Sequence, residues 1–233
     1  MRGRALPKVT IDAGLKAKCP RVALACVMAE VEMGTTSDAV DHELRVCEEK
    51  ILKLAEPKTV LESGAILATR AAYKALGKDP ARYRGSAEAL LRRAIAGKGL
   101  PRINNVVDVI NYVSVESRLP VGLYDLAHVQ GDIVFRAGRA GETYKGIGKY
   151  DLNLEGLPVF CDEIGPHGSP TSDSERTMVT PGTKQVIAVI ISFGGAKDVS
   201  SDGVKSLAVW GHVTCSLLEI HAAAREAHWE IVE

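Results

Sequence analysis

The stretch Arg21 to Met33, RVALACVMAEVEM, constrains the architecture of this 233-residue chain more than any other segment. It is valine-rich and apolar almost throughout, and it ends at Gly34. A run of that composition predicts a strand buried on much of both faces, and therefore a central one, rather than a short helix. The apolar core of the run, Val22 to Val31, is broken by Glu30 and is too short to cross a bilayer of about 30 Å as a helix. No membrane partner is expected.

The residues that follow carry helical periodicity. Ser37 precedes DAVDHELRVCEEKILKLAE, in which Val40, Leu44, Cys47, Ile51 and Leu54 recur at three- and four-residue steps, and Pro57 closes the pattern. A second helix is expected from Val60 to Leu76, ended by Gly77, and GKDPARYRG makes a turn-rich connection. The third opens at Ser86, with Leu90, Leu91, Ala94 and Ile95 inward and Arg92 and Arg93 outward. The fourth is capped by Asn104 or Asn105 and ends before Pro120. Beyond Pro120 the chain changes to short runs, GDIVFRAG, LPVFCDE and KQVIAVIISFG, which read as strands. Gly203 to about His228 returns to helix, with Leu207, Trp210, Thr214, Leu217, Leu218 and His221 at helical spacing. The fold class is α+β, mixed sheets with packed helices, rather than a regular βαβ alternation.

Charge excludes one class of function outright. Lysine plus arginine and aspartate plus glutamate each number 29, so the chain is neutral and does not coat nucleic acid by bulk charge. The sum conceals an asymmetry. Arg70, Lys74, Lys78, Arg82, Arg84, Arg92, Arg93, Lys98 and Arg102 form a basic stretch, preceded by an acidic one from Glu30 to Glu62. Tyr83 between Arg82 and Arg84 offers a stacking face beside two cations, which suits a single-stranded nucleic-acid end. The competing reading is that the acidic and basic stretches pair with each other.

The five cysteines form no C-x-x-C pair, and MRGRALPKVT lacks a signal-peptide core, so the expected setting is a reducing cytoplasm. Zinc-protease, P-loop and nucleophile-elbow signatures are missing. GRAGETYKGIG lacks the strand–turn–helix context of a dinucleotide site, and no cofactor is expected. His212 and Cys215 lack a third and fourth ligand, so no metal is expected either. The most polar loop, Asp162 to Thr177, places His167, Ser169, Ser172, Asp173, Ser174, Glu175 and Arg176 among glycine and proline breaks. Hydroxyls, backbone N–H groups and an arginine in such a loop suit an anionic or polar ligand.

Residues Pro101 to Leu126 carry VVDVINYV, then Pro120, then the pair Tyr124–Asp125. In that order and spacing they resemble the tRNA-binding B3/B4 domain of the phenylalanyl-tRNA synthetase beta subunit. GDIVFRAGRAGE and VFCDEIGP resemble its following strands, so the likeness covers about residues 60–191. The flanking elements look more like freestanding relatives of that domain. The resemblance implies a single B3/B4-like domain over residues 1–233 and, as in the synthetase, an editing site that hydrolyses misacylated tRNA. It places Asn111 on the asparagine of the editing pocket. The threonine before that asparagine is Ile110 here, the pocket histidine falls on Gly122, the glutamate falls near Val189, and the small-residue loop is replaced by GSPTSDSER. A pocket that reads a phenolic hydroxyl needs a buried polar partner, so tyrosine specificity is not expected.

The candidate substrate-binding residues are thus Asn111, Tyr124, His167, Ser172, Asp173 and Arg176, and the candidate tRNA-binding residues are Arg82, Arg84, Arg92, Arg93 and Arg102. The sequence singles out no catalytic base. Three readings stand side by side: a deacylase acting in trans on the acceptor end of a tRNA, a tRNA-binding module without chemistry, and a binder of a small amino-acid-like molecule without RNA.

Overall fold

The computed structural model describes residues 6–148, 150–197 and 205–233. In chain order the elements are β1 (Val9–Ile11), α1 (Ala13–Lys18), β2 (Ala23–Glu30), α2 (Asp38–Leu52), α3 (Gly64–Ala75), α4 (Ser86–Ile95), α5 (Asn105–Ser117) and β3 (Val121–Asp125). There follow β4 (Ile133–Ala137), β5 (Thr143–Lys145), β6 (Asp151–Asn153), β7 (Pro158–Cys161), β8 (Pro166–Gly168), β9 (Gln185–Ser192), α6 (Leu207–Ala222) and β10 (Arg225–Val232). The class is α+β, as the sequence predicts.

The apolar run becomes β2, which lies inside an antiparallel sheet of order β10-β2-β9-β3. Strand alternation gives the two faces different side chains. Ala23, Ala25, Val27 and Ala29 of β2, with Val186, Ala188 and Ile190 of β9, face a core shared with α2, α4, α5 and α6. Small side chains there bring the helices close to the sheet. The opposite face presents Leu24, Cys26, Met28, Tyr124, Ile187 and Val189 to a second sheet, of order β1-β4-β7-β8. All three phenylalanines, Phe135, Phe160 and Phe193, pack in this second core. Phe135 and Phe160 stack at 4.3 Å. The hairpin β5–β6 lies outside both sheets.

Helix starts follow local chemistry. The hydroxyl of Ser37 accepts from Val40 N, and Asn104, rather than Asn105, caps α5 by accepting from Val107 N at 2.8 Å. Asn105 instead accepts from Gly34 N and donates to the carbonyls of Glu32 and His221, tying the end of β2 to α5 and α6. Asp108, fully buried, accepts from Thr36 Oγ1 and Ile103 N.

Several boundaries depart from the sequence reading. The helix expected from Val60 is a 3-10 turn over Pro57–Glu62 followed by α3 from Gly64. In α4 the fully covered positions are Ala87, Glu88, Leu91 and Ala94, while Leu90 and Ile95 are half-buried. The last helix stops at Ala222 because Ala223 turns left-handed at φ 46°, and β10 follows where helix was expected to continue to about His228. Ala227, Trp229 and Ile231 of β10 pack on the helical core while His228 and Glu230 are exposed, a period of two that the helical pattern upstream obscures. The expected start of that helix, Gly203 and Val204, lies outside the described residues.

Phe160→Ala removes a fully buried ring from the contacts with Phe135 and Tyr124. It is expected to cost about 3–5 kcal/mol in urea denaturation. A loss under about 1 kcal/mol would contradict the described second core.

Candidate functional site

Tyr124 and His167 meet where β3 and β8 approach each other, in the second core. Both side chains are fully buried, and their rings stand edge to face at 4.6 Å. Tyr124 reaches this position because Gly122 and Gly168 leave room: a Cβ at either glycine would lie 2.2 Å from its hydroxyl oxygen. A histidine at position 122 is therefore incompatible with this placement of the tyrosine. The Tyr124 hydroxyl faces the Asp173 carboxylate, and both ring nitrogens of His167 form no hydrogen bond among the described residues. Buried polar atoms are rarely left so, and two on one ring mark a site with unused bonding capacity.

The electrostatics follow from burial. Desolvation, reinforced by the Asp173 carboxylate, pushes the Tyr124 phenol well above its ordinary range, so it is a neutral donor at pH 7. Burial lowers His167 to about 4, with Asp162 pulling it up and Arg176 opposing, so its imidazole is neutral.

Loop residues around this pair are held by a hydroxyl network that joins Ser169 and Ser172, flagged in the sequence, to Tyr144, which was not. Ser169 Oγ and Tyr144 Oη both donate to the Ser172 carbonyl, and the Ser169 hydroxyl accepts from Ser172 N. Thr171 Oγ1 lies 2.6 Å from Tyr73 Oη on α3. The tip of the β5–β6 hairpin joins the same loop through Ile147 N, which donates to the Asp173 carbonyl. In the sequence Tyr73 and Tyr144 lie 98 and 25 residues from Thr171 and Ser169, which are only two of the loop's hydroxyls. Their convergence requires the tertiary fold.

The sequence candidates separate into groups. Tyr124, His167 and Asp173 come together, and Ser172 lies in the same loop, its carbonyl accepting from Tyr144 and Ser169. Arg176 lies at the loop end, where its guanidinium grips both oxygens of Asp162 at 2.9 Å and donates to the carbonyls of His128 and Gly165. Those bonds anchor the loop to the β7–β8 turn, and they hold the Asp162 carboxyl below its usual range against the opposing effect of burial. Asn111 is half-buried on α5, which packs with α2, α4 and α6 across the central sheet from Tyr124.

The basic stretch divides in the same way. Glu88, buried on α4, accepts from Arg70 at 2.9 Å and from Arg92 at 2.7 Å, with Arg84 at 4.0 Å. Burial alone raises its carboxyl, but the arginines outweigh that and hold it below the ordinary value. Arg102 is bound to Asp41 and Glu48 of α2, so acidic and basic segments do pair. Arg82 and Arg93 make no carboxylate contact among the described residues: Arg82 lies 5.5 Å from the Tyr83 ring centre, and Arg93 donates to the Gly99 carbonyl. Lys78 adds a second cation 5.8 Å from Tyr83. This exposed segment abuts the polar loop through Ser86 N, which donates to the Pro170 carbonyl at 2.7 Å.

His212 is exposed and Cys215 buried on α6, so the two do not share a ligand position. Among the described residues no cluster of His, Cys, Asp or Glu has metal-site geometry. All five cysteines are buried and unpaired. No helix among the described residues is long and apolar enough to cross a membrane.

The buried imidazole sets a pH dependence. Because the unfolded chain takes up a proton near pH 6.5 that the folded chain refuses until about 4, stability present above pH 6.5 is lost as pH falls through this window. His167→Gln should remove that part of the slope in denaturation measured from pH 7 to 4. An unchanged slope would show that His167 does not titrate as its burial requires.

Comparison with known proteins bears on this geometry. The B3/4 domain family matches residues 68–206, more than half of the chain and including β3 to β9. The phenylalanine–tRNA ligase beta subunit of Brucella abortus (strain 2308) is 32% identical over 83 residues, which cover 35% of this chain and 10% of that protein. The corresponding subunit of Rhodopirellula baltica is 40% identical over 72 residues, 30% of this chain and 11% of that protein. The chain thus matches about a tenth of the length of these relatives. Among solved structures, an N-terminal fragment of the phenylalanyl-tRNA synthetase beta subunit from Pyrococcus horikoshii aligns over 98% of this chain and 51% of the fragment, at 16% identity and a TM-score of 0.47. The match that begins within α3 and runs to the residue before α6 carries the assignment: the chain belongs to the B3/4 domain family.

Proposed function

We propose that this chain, as one B3/4 unit over residues 1–233 in the cytoplasm, binds the aminoacylated acceptor end of a tRNA and hydrolyses a wrongly attached amino acid in trans. One observation carries the reading. The exposed cationic and aromatic segment Lys78–Arg84 is flanked by Tyr73 and Ser86, which bond the polar loop at Thr171 and Pro170, beside a buried tyrosine and a histidine whose ring nitrogens have unused bonding capacity. Phosphates and a terminal base would be held by Arg82, Arg84, Arg92, Arg93 and Tyr83, with the aminoacyl group at Tyr124, His167, Ser172 and Asp173. Arg176 serves this site by fixing the loop, while Arg102 fixes α2.

The chemistry asked of such a site is modest. Water adds to the ester carbonyl, the C–O bond to the ribose breaks, and a proton passes to the ribose hydroxyl, giving free amino acid and intact tRNA. The Tyr124 phenol is a donor for the carbonyl oxygen as it gains charge, the Asp173 carboxylate suits the substrate ammonium group, and neutral His167 orients the water. Since an imidazole lowered to about 4 is a weak base, the rate rests on positioning and oxyanion stabilisation. The loop 169–174 has to open for substrate to reach the two fully buried rings.

The purified chain is expected to release amino acid from at least one member of a panel of mischarged tRNAs, and Asp173→Asn to slow that release about tenfold or more. Release from none of them overturns the enzymatic reading, and salt-dependent tRNA retention in that case identifies a binding module. Arg82→Ala combined with Arg93→Ala, which disturbs no ion pair, should weaken tRNA binding and reduce the slope of log K against log salt by about 1.4–1.8. An unchanged slope would remove this surface from the interface.

A further inference from the structure

On the helical side of the central sheet, across from Tyr124 and His167, the last turns of α5, the 3-10 turn before α3 and the first turns of α6 line an open cavity of about 580 Å³. This is within the size range of small-molecule sites. Two polar atoms in its lining residues, the hydroxyl of Ser63 and the indole N–H of Trp210, have no hydrogen-bond partner among the described residues. Those residues are only 9% and 5% exposed. Ser63 occupies the N-cap position of α3 yet its side chain does not cap the helix.

The wall also carries charge of both signs. Glu116 holds one carboxylate oxygen 3.0 Å from the Cys47 thiol, which donates to it. Arg118 sits at the C-terminus of α5 with φ 62°, a left-handed position that glycine or asparagine normally fills. An arginine here keeps a guanidinium at the cavity wall, where it also donates to the Val115 carbonyl. Lys205 places its ammonium 5.5 Å from the centre of the Trp210 ring. Tyr112 adds a second aromatic face.

We propose that this cavity binds a small zwitterion with a flat apolar body, its ammonium group at Glu116, its carboxylate at Arg118 and Lys205, and its body against Tyr112 and Trp210. A simple anion would meet the Glu116 carboxylate and a simple cation the Arg118 guanidinium, so the balanced wall rejects both. The aromatic side chains supply contact area at little entropic cost. This site lies on the other side of the sheet from the polar loop, and the inference does not rest on tRNA binding.

The test is calorimetry of the full chain with the free L-amino acids as probes, followed by the best binder's analogues lacking either the carboxylate or the ammonium group. At least one amino acid should bind with Kd below about 10 mM, and each half-charged analogue at least tenfold more weakly. Glu116→Gln and Arg118→Gly should each weaken binding tenfold or more, while Asp173→Asn leaves it within twofold. Arg118→Gly suits the left-handed backbone, so the variant folds and the loss is one of binding. Absence of binding by every amino acid, equal binding of a half-charged analogue, or sensitivity to Asp173→Asn instead of to Glu116→Gln and Arg118→Gly would each overturn the inference.

Discussion

A strand apolar on both faces has to be covered twice, and β2 imposes that requirement on the rest of the chain. Its partner β9 meets the same requirement, with Val186, Ala188 and Ile190 on one side and Ile187, Val189 and Ile191 on the other. One covering is a helical layer drawn close by alanines, and the other is a second sheet whose core contains every phenylalanine of the chain. Hydrophobic burial on both sides makes the sheet a rigid partition. The polar cluster of Tyr124 and His167 and the cavity of Trp210 and Arg118 lie on opposite sides of it.

The partition also explains how the charges are spent. Neutrality over the sequence arises partly from direct pairing, as Glu88 with Arg70 and Arg92, and Asp41 and Glu48 with Arg102. Such pairs place α4 and the segment before α5 against their neighbours. A buried carboxylate like Glu88 is tolerated because several guanidinium donors meet it. Arg82 and Arg93 stand outside those pairings on the exposed surface.

Much of this was legible in the sequence because it depends on local pattern. The central strand, the amphipathic helices, the Ser37 cap and the motif from Val106 to Asp125 all follow from periodicity, caps or resemblance. Tertiary facts were not legible. The short β1 pairs in parallel with β4 across more than a hundred residues, and β10 reads as helix because its period of two follows directly on the helical pattern of α6. Glu88 looks like an ordinary helix-surface acid until the three arginines are placed around it. Of the polar residues flagged in the loop, proximity in sequence brought Ser172 and Asp173 near His167, but Tyr124 joins them only because Gly122 and Gly168 vacate the space its hydroxyl occupies. Asn111, assigned by resemblance, lies on a helix across the sheet from that group.

In the proposed function, the aminoacyl group of a charged tRNA end reaches Tyr124, His167 and Asp173 once the loop over them opens. A crystal structure of the chain with a non-hydrolysable 3′-aminoacylamido-adenosine tests it most directly. The acyl carbonyl is expected within hydrogen-bonding distance of the Tyr124 hydroxyl, the ammonium group at Asp173, and the adenine against Tyr83, with the loop 169–174 displaced outward. An analogue bound elsewhere, with Tyr124 and His167 still sealed beneath an unmoved loop, would contradict it.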